Sequence, residues 1–320
     1  MHRKIGQRNL VDEMVGEKGG NRQLDRIGDL IDWRALGGVV GSIYASSRGR
    51  PAYPPLVLVK ALLLAQWYGL SDPQLEEALG DRLSFRRFIG LSLEEDTPDH
   101  VTLWRFRQKL SEQGVDQALV EEVNRQLESR GLILKRGTLM DATLVKAQAA
   151  KPPMPSQGKT PKEPVDPDAN WTRQYGQNHY GYKAHLGVDE GSGLVRRAIL
   201  TPAKLYESQV ADDLICGDEG AVYGDRAYEH KERRRRLKSR GIKDRIMHRS
   251  HKNQPALPPW QRKRNALIRP IRARVERVFG TLKRSYGYTK VRYFSLAANT
   301  TQLCLLTIAL NLRRAVVLTT

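Results

Sequence analysis

The 320-residue sequence contains only two cysteines, Cys216 and Cys304, which stand in apolar segments without the spacing of metal ligands. A disulfide-stabilised secreted fold and a zinc site are therefore not expected, and we predict reduced thiols in a cytoplasmic protein. Long apolar runs are also missing. The longest, Leu56–Ala65, is interrupted by Lys60 and is too short to span a bilayer. The residues after Met1 are polar, so we predict no signal peptide.

Acidic residues are in short supply relative to basic ones. The chain has 35 Asp and Glu against 54 Lys and Arg, a formal net charge of +19 and a pI near 10. This imbalance predicts a polyanionic partner, with nucleic acid favoured over an anionic membrane surface. Hydrophobic residues make up 40% of the chain, enough for a sizeable core, and the length suggests two domains or one large domain with an appendage.

The first part of the chain is predicted to be helical. Residues 1–25 are polar and basic, and we expect a poorly ordered N-terminus. Residues 26–132 carry short helical patterns with capping residues and are predicted to form an all-α domain. The helix near Val101–Leu110 is basic and follows a tight turn, which favours a helix-turn-helix-like DNA-binding domain with Arg105, Arg107 and Lys109 on phosphates. A helical bundle with one basic surface helix gives the same pattern, and that alternative stays open.

Residues 133–320 are predicted to form a mixed α/β domain, because strand patterns there alternate with helical ones. Residues 151–170 are predicted to be a loop, and Ile268–Tyr286 to be one long helix. The predicted strands are Thr138–Gln148, Tyr180–Asp189, Leu194–Thr201, Gly220–Tyr228 and Asp244–His248.

Asp141 stands in the middle of the apolar strand pattern of residues 138–148. Asp is depleted in strands, and a buried carboxylate is costly unless it is paired or bound to a metal ion. The simpler interpretation is an Asp at a strand end, bonded to a turn.

Two further carboxylates have comparable settings. Asp225 follows the short apolar strand Ala221–Tyr223, and the carboxyl end of a strand is where α/β proteins place their sites. Glu276 lies at the border of the apolar stripe of its predicted helix, between Arg272 and Lys283. A turn Asp and a helical salt bridge are the alternatives for these two residues.

Three separated acids of this kind suit phosphoryl transfer with divalent metal ions. Two Mg²⁺ ions about 4 Å apart need shared carboxylates, one ion activating the attacking oxygen and the other stabilising the leaving one. Arg272 and Lys283 would then contact the phosphodiester, as a bidentate donor and a point charge.

Four motifs together carry a resemblance to a known family. They are Thr-Leu-Met-Asp141-Ala-Thr, Tyr180-Gly-Tyr-Lys-Ala-His185, Tyr223-Gly-Asp-Arg-Ala-Tyr228, and Arg272-x3-Glu276-x6-Lys283. The chain resembles the bacterial insertion-sequence transposases of the DDE class, and within it the insertion-sequence-five group, related to the insertion-sequence-four group.

The resemblance implies a ribonuclease-H-like mixed-sheet catalytic domain in which Asp141, Asp225 and Glu276 hold Mg²⁺ or Mn²⁺, two ions in all. It also implies Arg272 and Lys283 as contacts to DNA. Two positions depart from the family pattern. Arg269 stands where a Tyr usually begins the last motif, and Lys204–Glu207 replaces the frequent Asn-Val-His-Asp.

We therefore expect a transposase that binds the terminal inverted repeats of its element, hydrolyses the ends and joins the 3′-OH groups to target DNA. Double-stranded DNA is the expected partner, with a homodimer in the synaptic complex, no membrane and a nucleoid-associated, cytoplasmic location. The alternatives are a DNA-binding regulator with a non-catalytic acidic triad and a metal-dependent nuclease without strand transfer.

Three more features remain open between function and structure. His185 is more typical of a satisfied strand histidine than of a catalyst. The basic run Lys231–Arg240 favours a DNA track over a solvated face in so basic a chain. Trp260 is either a surface aromatic or a platform for an unpaired base.

Overall fold

The structure is a computed structural model that describes residues 5–6, 20–44, 51–152, 165–174, 176–250 and 256–320. Most of the predicted disordered N-terminus, and most of the predicted loop at 151–170, lie outside these ranges. The chain divides into two compact units. The helical unit comprises residues 1–130 and 304–320. Residues 131–303 form the second unit, here called the catalytic unit after the catalytic domain predicted from the sequence. The catalytic domain was predicted to run to residue 320, so the last 17 residues fall in the other unit.

Within the described ranges, the helical unit contains seven α-helices before its C-terminal segment. Asn21, Asp32, Ser71 and Asp99 cap four of them through side-chain oxygens. The helices are α1 (Arg22–Leu30), α2 (Trp33–Val40), α3 (Pro55–Tyr68), α4 (Asp72–Asp81), α5 (Leu83–Ile89), α6 (His100–Glu112) and α7 (Val115–Ser129), with a 3₁₀ turn at Gly41–Tyr44.

Helix α3 is the core of the helical unit, since nearly all its residues from Val57 to Trp67 are buried. Its one lysine, Lys60, places its ammonium 4.7 Å from the ring centre of Trp33 and 5.3 Å from that of Phe88. The indole Nε1 of Trp67 donates to the carbonyl of Ala309 at 2.9 Å. The C-terminal segment therefore helps to close this core.

The catalytic unit is built on a six-stranded mixed sheet. One strand, β2, was not predicted, because its sequence Asn-Trp-Thr-Arg-Gln carries no alternating pattern. The strands are β1 (Thr138–Lys146), β2 (Asn170–Gln174), β3 (Gln177–Asp189), β4 (Val195–Pro202), β5 (Ala221–Gly224) and β6 (Lys243–Ile246).

The order of the strands is β2-β3-β1-β5-β6, with β4 also paired to β3. Strand β3 is antiparallel to β1, β2 and β4, whereas β1, β5 and β6 run parallel. At 13 residues, β3 is long enough to pair first with β2 and then with β4 along one edge. This mixed α/β arrangement fits the predicted ribonuclease-H-like class.

Helices complete the catalytic unit. Short α8 (Glu207–Val210) and the 3₁₀ turn Ala211–Leu214 follow β4, the 3₁₀ turn Arg226–Tyr228 follows β5, and α9 (Lys231–Ser239) precedes β6. Met140, Val222, Tyr228, Leu237 and Ile246 belong to one buried apolar cluster, which joins these elements to the sheet. After β6 come α10 (Pro259–Arg272) and α11 (Val275–Ser285).

Helix α12 (Leu296–Leu318) continues from the catalytic unit into the helical unit. Its length and apolar composition would suit a membrane crossing, but 78% of its most apolar window is buried inside the protein. A mostly buried helix of this kind is typical of a protein core. Asp168 accepts the backbone N–H of Leu296 at 2.7 Å and so satisfies a donor at its N-terminus.

Candidate catalytic site

Two of the predicted carboxylates occupy equivalent positions on adjacent parallel strands. The β1–β5 ladder pairs Thr138 with Val222 and Leu139 with Tyr223. Asp141, inside β1, and Asp225, one residue past the end of β5, each lie two residues beyond the last pair, so they hold equivalent positions relative to the ladder. Asp225 also ends its strand by accepting the backbone N–H of Ala227 at 2.8 Å, which starts the 3₁₀ turn.

Asp141 is paired with Arg272, a residue predicted from the sequence as a contact to DNA. Nη2 of Arg272 donates to Oδ2 of Asp141 at 2.8 Å, and the two side chains are 18% and 13% exposed. Burial raises the pKa of Asp141 although Arg272 opposes the shift, and Asp225 adds to it. The ionised form of a buried strand carboxylate is costly, and a positive charge beside it lowers that cost.

The helix that carries Glu276 differs from the predicted one. The expected single helix is interrupted: α10 ends at Arg272 and α11 begins at Val275, which places Glu276 in the first turn of α11. Pro270 lies inside α10 and has no N–H to donate, and Arg274 and Glu276 then bond to carbonyls three residues back. Glu276 is exposed rather than at the border of a buried face. Within the described ranges it forms no ion pair, so the alternative helical salt bridge is not formed.

Arg272 connects the three acids electrostatically. Burial opposes its charge, but the carboxylates of Asp141, Asp225 and Glu276 together raise the pKa of the guanidinium. Its Nε is buried and has no hydrogen-bond partner in the described part of the chain. A protein cation thus stands in the combined field of three carboxylates, whose hard oxygens are the ligands that Mg²⁺ prefers. The residues present fit a divalent cation.

The three carboxylates are not in mutual contact. Among the described residues, the only three potential ligands within 4.8 Å of one another are those of Cys216, Asp218 and Glu219. Protein cations already neutralise that group: Arg196 lies 2.5 Å from Asp218 and 3.5 Å from Glu219, and Lys135 lies 2.8 Å from Asp218. Burial also raises the pKa of the Cys216 thiol, which disfavours the thiolate a metal would need. We assign no metal to this group.

A fourth acid near the site was missed. Glu207 begins α8, and its pKa is raised first by burial, against Lys183, and then by Asp225 and Asp141. The sequence signal was its position in Lys204–Glu207, the segment that departs from the family pattern. The departure drew attention to an absent His rather than to the carboxylate that is present.

Lys283 lines a cavity of about 390 Å³ beside the strand that carries Asp141. Burial lowers the pKa of Lys283, so its ammonium is partly stripped of water. Thr143, Lys146, His179 and Tyr180 are among the other lining residues. A phosphate group would find a cation and polar side chains in this cavity.

The predicted phosphate contacts in the helical unit divide into two kinds. Arg105 is exposed on α6, and Lys109 is half-buried with its ammonium 4.4 Å from the ring centre of Tyr44. Arg107 is only 4% exposed, and its guanidinium donates to both carboxylate oxygens of Asp72 at 3.0 and 2.6 Å. The guanidinium of Arg107 is thus engaged inside the helical unit, and its phosphate contact stays a prediction.

The basic run of α9 is largely paired within the protein. Arg233 and Arg236 bind Asp212, Arg234 binds Glu229, and Arg235 binds Glu232. The expected DNA track is thereby reduced to the remaining cations of the run.

The other two open residues have structural settings. His185 is buried, with Nε2 2.9 Å from Oγ1 of Thr201, and burial followed by Lys183 lowers its pKa to about 4. Its Nδ1 is buried without a hydrogen-bond partner among the described residues, so the strand histidine is buried as expected but only one of its two ring nitrogens is satisfied. Trp260 is 60% exposed at the start of α10, with His248 packed edge-on at 5.3 Å between ring centres.

Two family models match the chain. The Transposase domain (DUF772) matches residues 13–109, and the Transposase DDE domain matches residues 133–312, more than half of the sequence. No solved structure gives a significant match. The second model covers all six strands of the sheet together with Asp141, Asp225 and Glu276. On this match the chain belongs to the DDE transposases of insertion sequences, a family of nucleic-acid-processing enzymes.

Proposed function

We propose that this transposase binds the terminal inverted repeats of an insertion sequence of the five-type group, cleaves the ends by metal-dependent hydrolysis and joins the 3′-OH ends to target DNA. The observation that carries the proposal is the site geometry. Asp141 and Asp225 sit at equivalent positions of parallel strands, and Arg272 lies in the field of both and of Glu276.

In this proposal Asp141, Asp225 and Glu276 hold two Mg²⁺ or Mn²⁺ ions. The chemistry that such ions supply is activation of the attacking oxygen and stabilisation of the leaving one. Arg272 holds Asp141 in place before DNA arrives, through the 2.8 Å contact. Its guanidinium then donates to the scissile phosphodiester, since a planar fork suits paired phosphate oxygens. Lys283 adds a point charge from the cavity.

End recognition is assigned to the helical unit. Arg105 and Lys109 would contact phosphates from α6, and the net charge of +19 favours association with a polyanion. Two ends must be held together for joining, so we propose a homodimer in the synaptic complex. Arg269, exposed on α10, replaces the tyrosine of the family pattern with a phosphate-binding side chain.

The test compares Glu276→Gln with Glu232→Gln, in Mg²⁺-dependent nicking of labelled end DNA and in a gel shift of the same DNA. Glu232 is a matched control because it is an exposed helical Glu that does form an ion pair, with Arg235. We expect nicking by Glu276→Gln to fall by orders of magnitude with end binding retained, and Glu232→Gln to behave as wild type.

The same assay separates the alternatives. Wild-type nicking by Glu276→Gln would remove Glu276 from the site. A wild-type protein that binds ends without nicking them would favour the DNA-binding regulator. A protein that nicks ends but forms no joined product with target DNA would favour the nuclease.

A further inference from the structure

Side-chain contacts fix the backbone on either side of Glu207, near the carboxylate cluster of Asp141, Asp225 and Glu276. Nζ of Lys183 donates to the carbonyl of Leu205 at 3.0 Å and lies 3.8 Å from Oε1 of Glu207. The two side chains are 13% and 19% exposed. The loop that ends β4 is thereby anchored to β3 just before α8 begins.

A buried arginine ties Glu207 to the turn that carries Asp225. Arg233 is 2% exposed, and its Nη1 donates to the carbonyl of Tyr228 at 2.6 Å. Its Nη2 donates to the carbonyl of Ser208 at 2.6 Å, and its Nη1 also reaches Oγ of Ser208 at 3.3 Å. Ser208 directly follows Glu207, and Tyr228 ends the 3₁₀ turn capped by Asp225. One guanidinium therefore fixes the spacing between these two acidic segments.

Tyr228 supplies an independent sign of an incomplete polar site. Its side chain is fully buried, and its hydroxyl has no hydrogen-bond partner among the described residues. The Tyr228 side chain packs where β5 and its pairing with β1 end, because a Cβ on Gly224 would lie 3.2 Å from Cβ of Tyr228 and 3.3 Å from Cε of Met140. Met140 and Gly224 directly precede Asp141 and Asp225. A buried hydroxyl donor of this kind is costly unless a group bound at the site accepts its hydrogen bond.

We propose that Glu207 is a fourth carboxylate of the metal centre, which adds negative charge beside Asp141 and Asp225 and binds the divalent cation directly or through a bound water. Lys183 is its counter-ion in the metal-free protein. The inference rests on the proposed function, because it concerns the same cation. The electrostatic influence of Asp141 and Asp225 on Glu207 agrees with this placement.

The competing interpretation is a structural ion pair between Lys183 and Glu207. The two interpretations predict different effects of substitution on metal affinity. If Glu207 serves the cation, Glu207→Gln weakens metal binding, whereas Lys183→Gln keeps or strengthens it, because the carboxylate loses its counter-ion. If the pair is only structural, both substitutions lower the melting temperature similarly and neither changes metal affinity.

The measurement is Mn²⁺ binding to the full-length protein, followed by the electron paramagnetic resonance signal of free Mn²⁺, beside the Mg²⁺ concentration that half-saturates nicking. We expect Glu207→Gln to weaken Mn²⁺ binding by about 10-fold or more and to raise the half-saturating Mg²⁺ concentration in parallel. Glu207→Asp should recover part of the loss. A gel shift with end DNA in EDTA should be unchanged.

Glu229→Gln is the matched control. Glu229 is 17% exposed, close to the value for Glu207, and it is paired with Arg234 at 2.9 Å outside the cluster. Its Mn²⁺ affinity should equal that of the wild type. Wild-type affinity in Glu207→Gln, or equal losses in Glu207→Gln and Glu229→Gln, would overturn the inference.

Asp141→Asn separates this failure from failure of the proposed function. If Asp141→Asn loses Mn²⁺ affinity and Glu207→Gln does not, only the role of Glu207 is wrong. If neither changes it, or if the wild type binds no Mn²⁺, the proposed metal centre is wrong and the inference falls with it.

Discussion

Lys60 shows how one side chain interrupts an apolar helix without breaking the core. Its ammonium lies over the rings of Trp33 and Phe88, and no described carboxylate forms an ion pair with it. Burial lowers the pKa of Lys60 to about 8. The aromatic faces return part of the lost hydration energy, about 1 kcal/mol for such a pair. The rest of the desolvation free energy of the ammonium destabilises the folded state.

We predict that Lys60→Met stabilises the helical unit at pH 7. The pKa falls from 10.5 to about 8 on folding, a cost of roughly 3 kcal/mol at 1.36 kcal/mol per pH unit. After loss of the aromatic contacts we expect a net gain of about 2 kcal/mol. Between pH 8 and 10.5 the unfolded chain binds more protons, so wild-type stability rises with pH there. The gain should therefore shrink across that window in urea unfolding, and a gain constant from pH 7 to 10.5 would contradict the argument.

The stability of the fold also depends on pH through a second side chain, His185, in the acid range. Its pKa is lowered to about 4 in the fold, so the unfolded chain binds more protons between about pH 4 and 6.5. Wild-type stability should fall as the pH drops through this window. His185→Gln keeps a polar group toward Thr201 but does not titrate, so its stability should fall less than that of wild type between pH 7 and 4.5. Parallel unfolding curves for the two proteins would show that His185 does not titrate as argued.

The site residues differ in how far the sequence could place them. Asp141 and Asp225 were predictable, because each stands out against a local apolar strand. Glu207 was not, since its significance comes from tertiary contacts with Lys183 and from the clamp by Arg233. The same limit applies to Arg107: a cation on a helix gives no local sign that Asp72, 35 positions earlier, will bind it.

Among the elements, strand β3 has to pair with three neighbours, and Gly181 lies where they meet. It pairs with Lys146 on one side and Asn170 on the other, and its φ is +153°. A Cβ there would lie 2.2 Å from the carbonyl oxygen of Val145 and 2.6 Å from the nitrogen of Ala147. Both are backbone atoms and cannot rotate away.

We predict that Gly181→Ala destabilises the catalytic unit by roughly 3 kcal/mol, through backbone strain and overpacking. The measurement is urea unfolding followed by circular dichroism. Gly28→Ala is the control, because it adds the same methyl group inside α1, where nothing lies within 4 Å. It should be neutral or stabilise by up to about 1 kcal/mol. Similar effects of the two substitutions would refute the steric argument.

The secondary-structure elements also show which features sequence patterns can predict and which they cannot. Strands β1, β3 and β4 followed from apolar patterns, and their observed bounds lie within about three residues of the predicted ones. The single helix predicted across Ile268–Tyr286 failed, because the apolar stripe continues through the interruption at Ala273 and Arg274. Pro270 was the local signal of this break. Strand β2 exists only through its pairing with β3 and had no such signal.

For the protein as a whole, charge predicts how end binding responds to salt. If α6 contacts phosphates, the logarithm of the binding constant should fall linearly with the logarithm of salt concentration. Removing one contact with Arg105→Gln should reduce the slope by about 0.9. The control is Arg125→Gln, an exposed arginine of α7 paired with Glu122. A slope unchanged by Arg105→Gln, or changed equally by the control, would place the contacts elsewhere.

The division into two units makes a second prediction. Residues 304–320 belong to the helical unit, where Asn311 and Asn124 bond at 2.9 Å and Trp67 bonds to Ala309. A protein truncated after Leu303 should therefore have a protease-sensitive helical unit, while the fragment from Gly131 onward resists digestion. Trp67→Phe, which removes one of these bonds, should give a weaker effect of the same kind. Equal protease resistance with and without residues 304–320 would contradict this division.

This division also has a consequence for biosynthesis. The seven described helices of the helical unit are translated first, but the segment that completes their core is translated after the whole catalytic unit. The helical unit can therefore reach its final packing only when residues 304–320 have emerged. If the helical unit binds the ends as proposed, a chain that stops before residue 304 would carry an incomplete helical unit and bind DNA more weakly than the 320-residue chain.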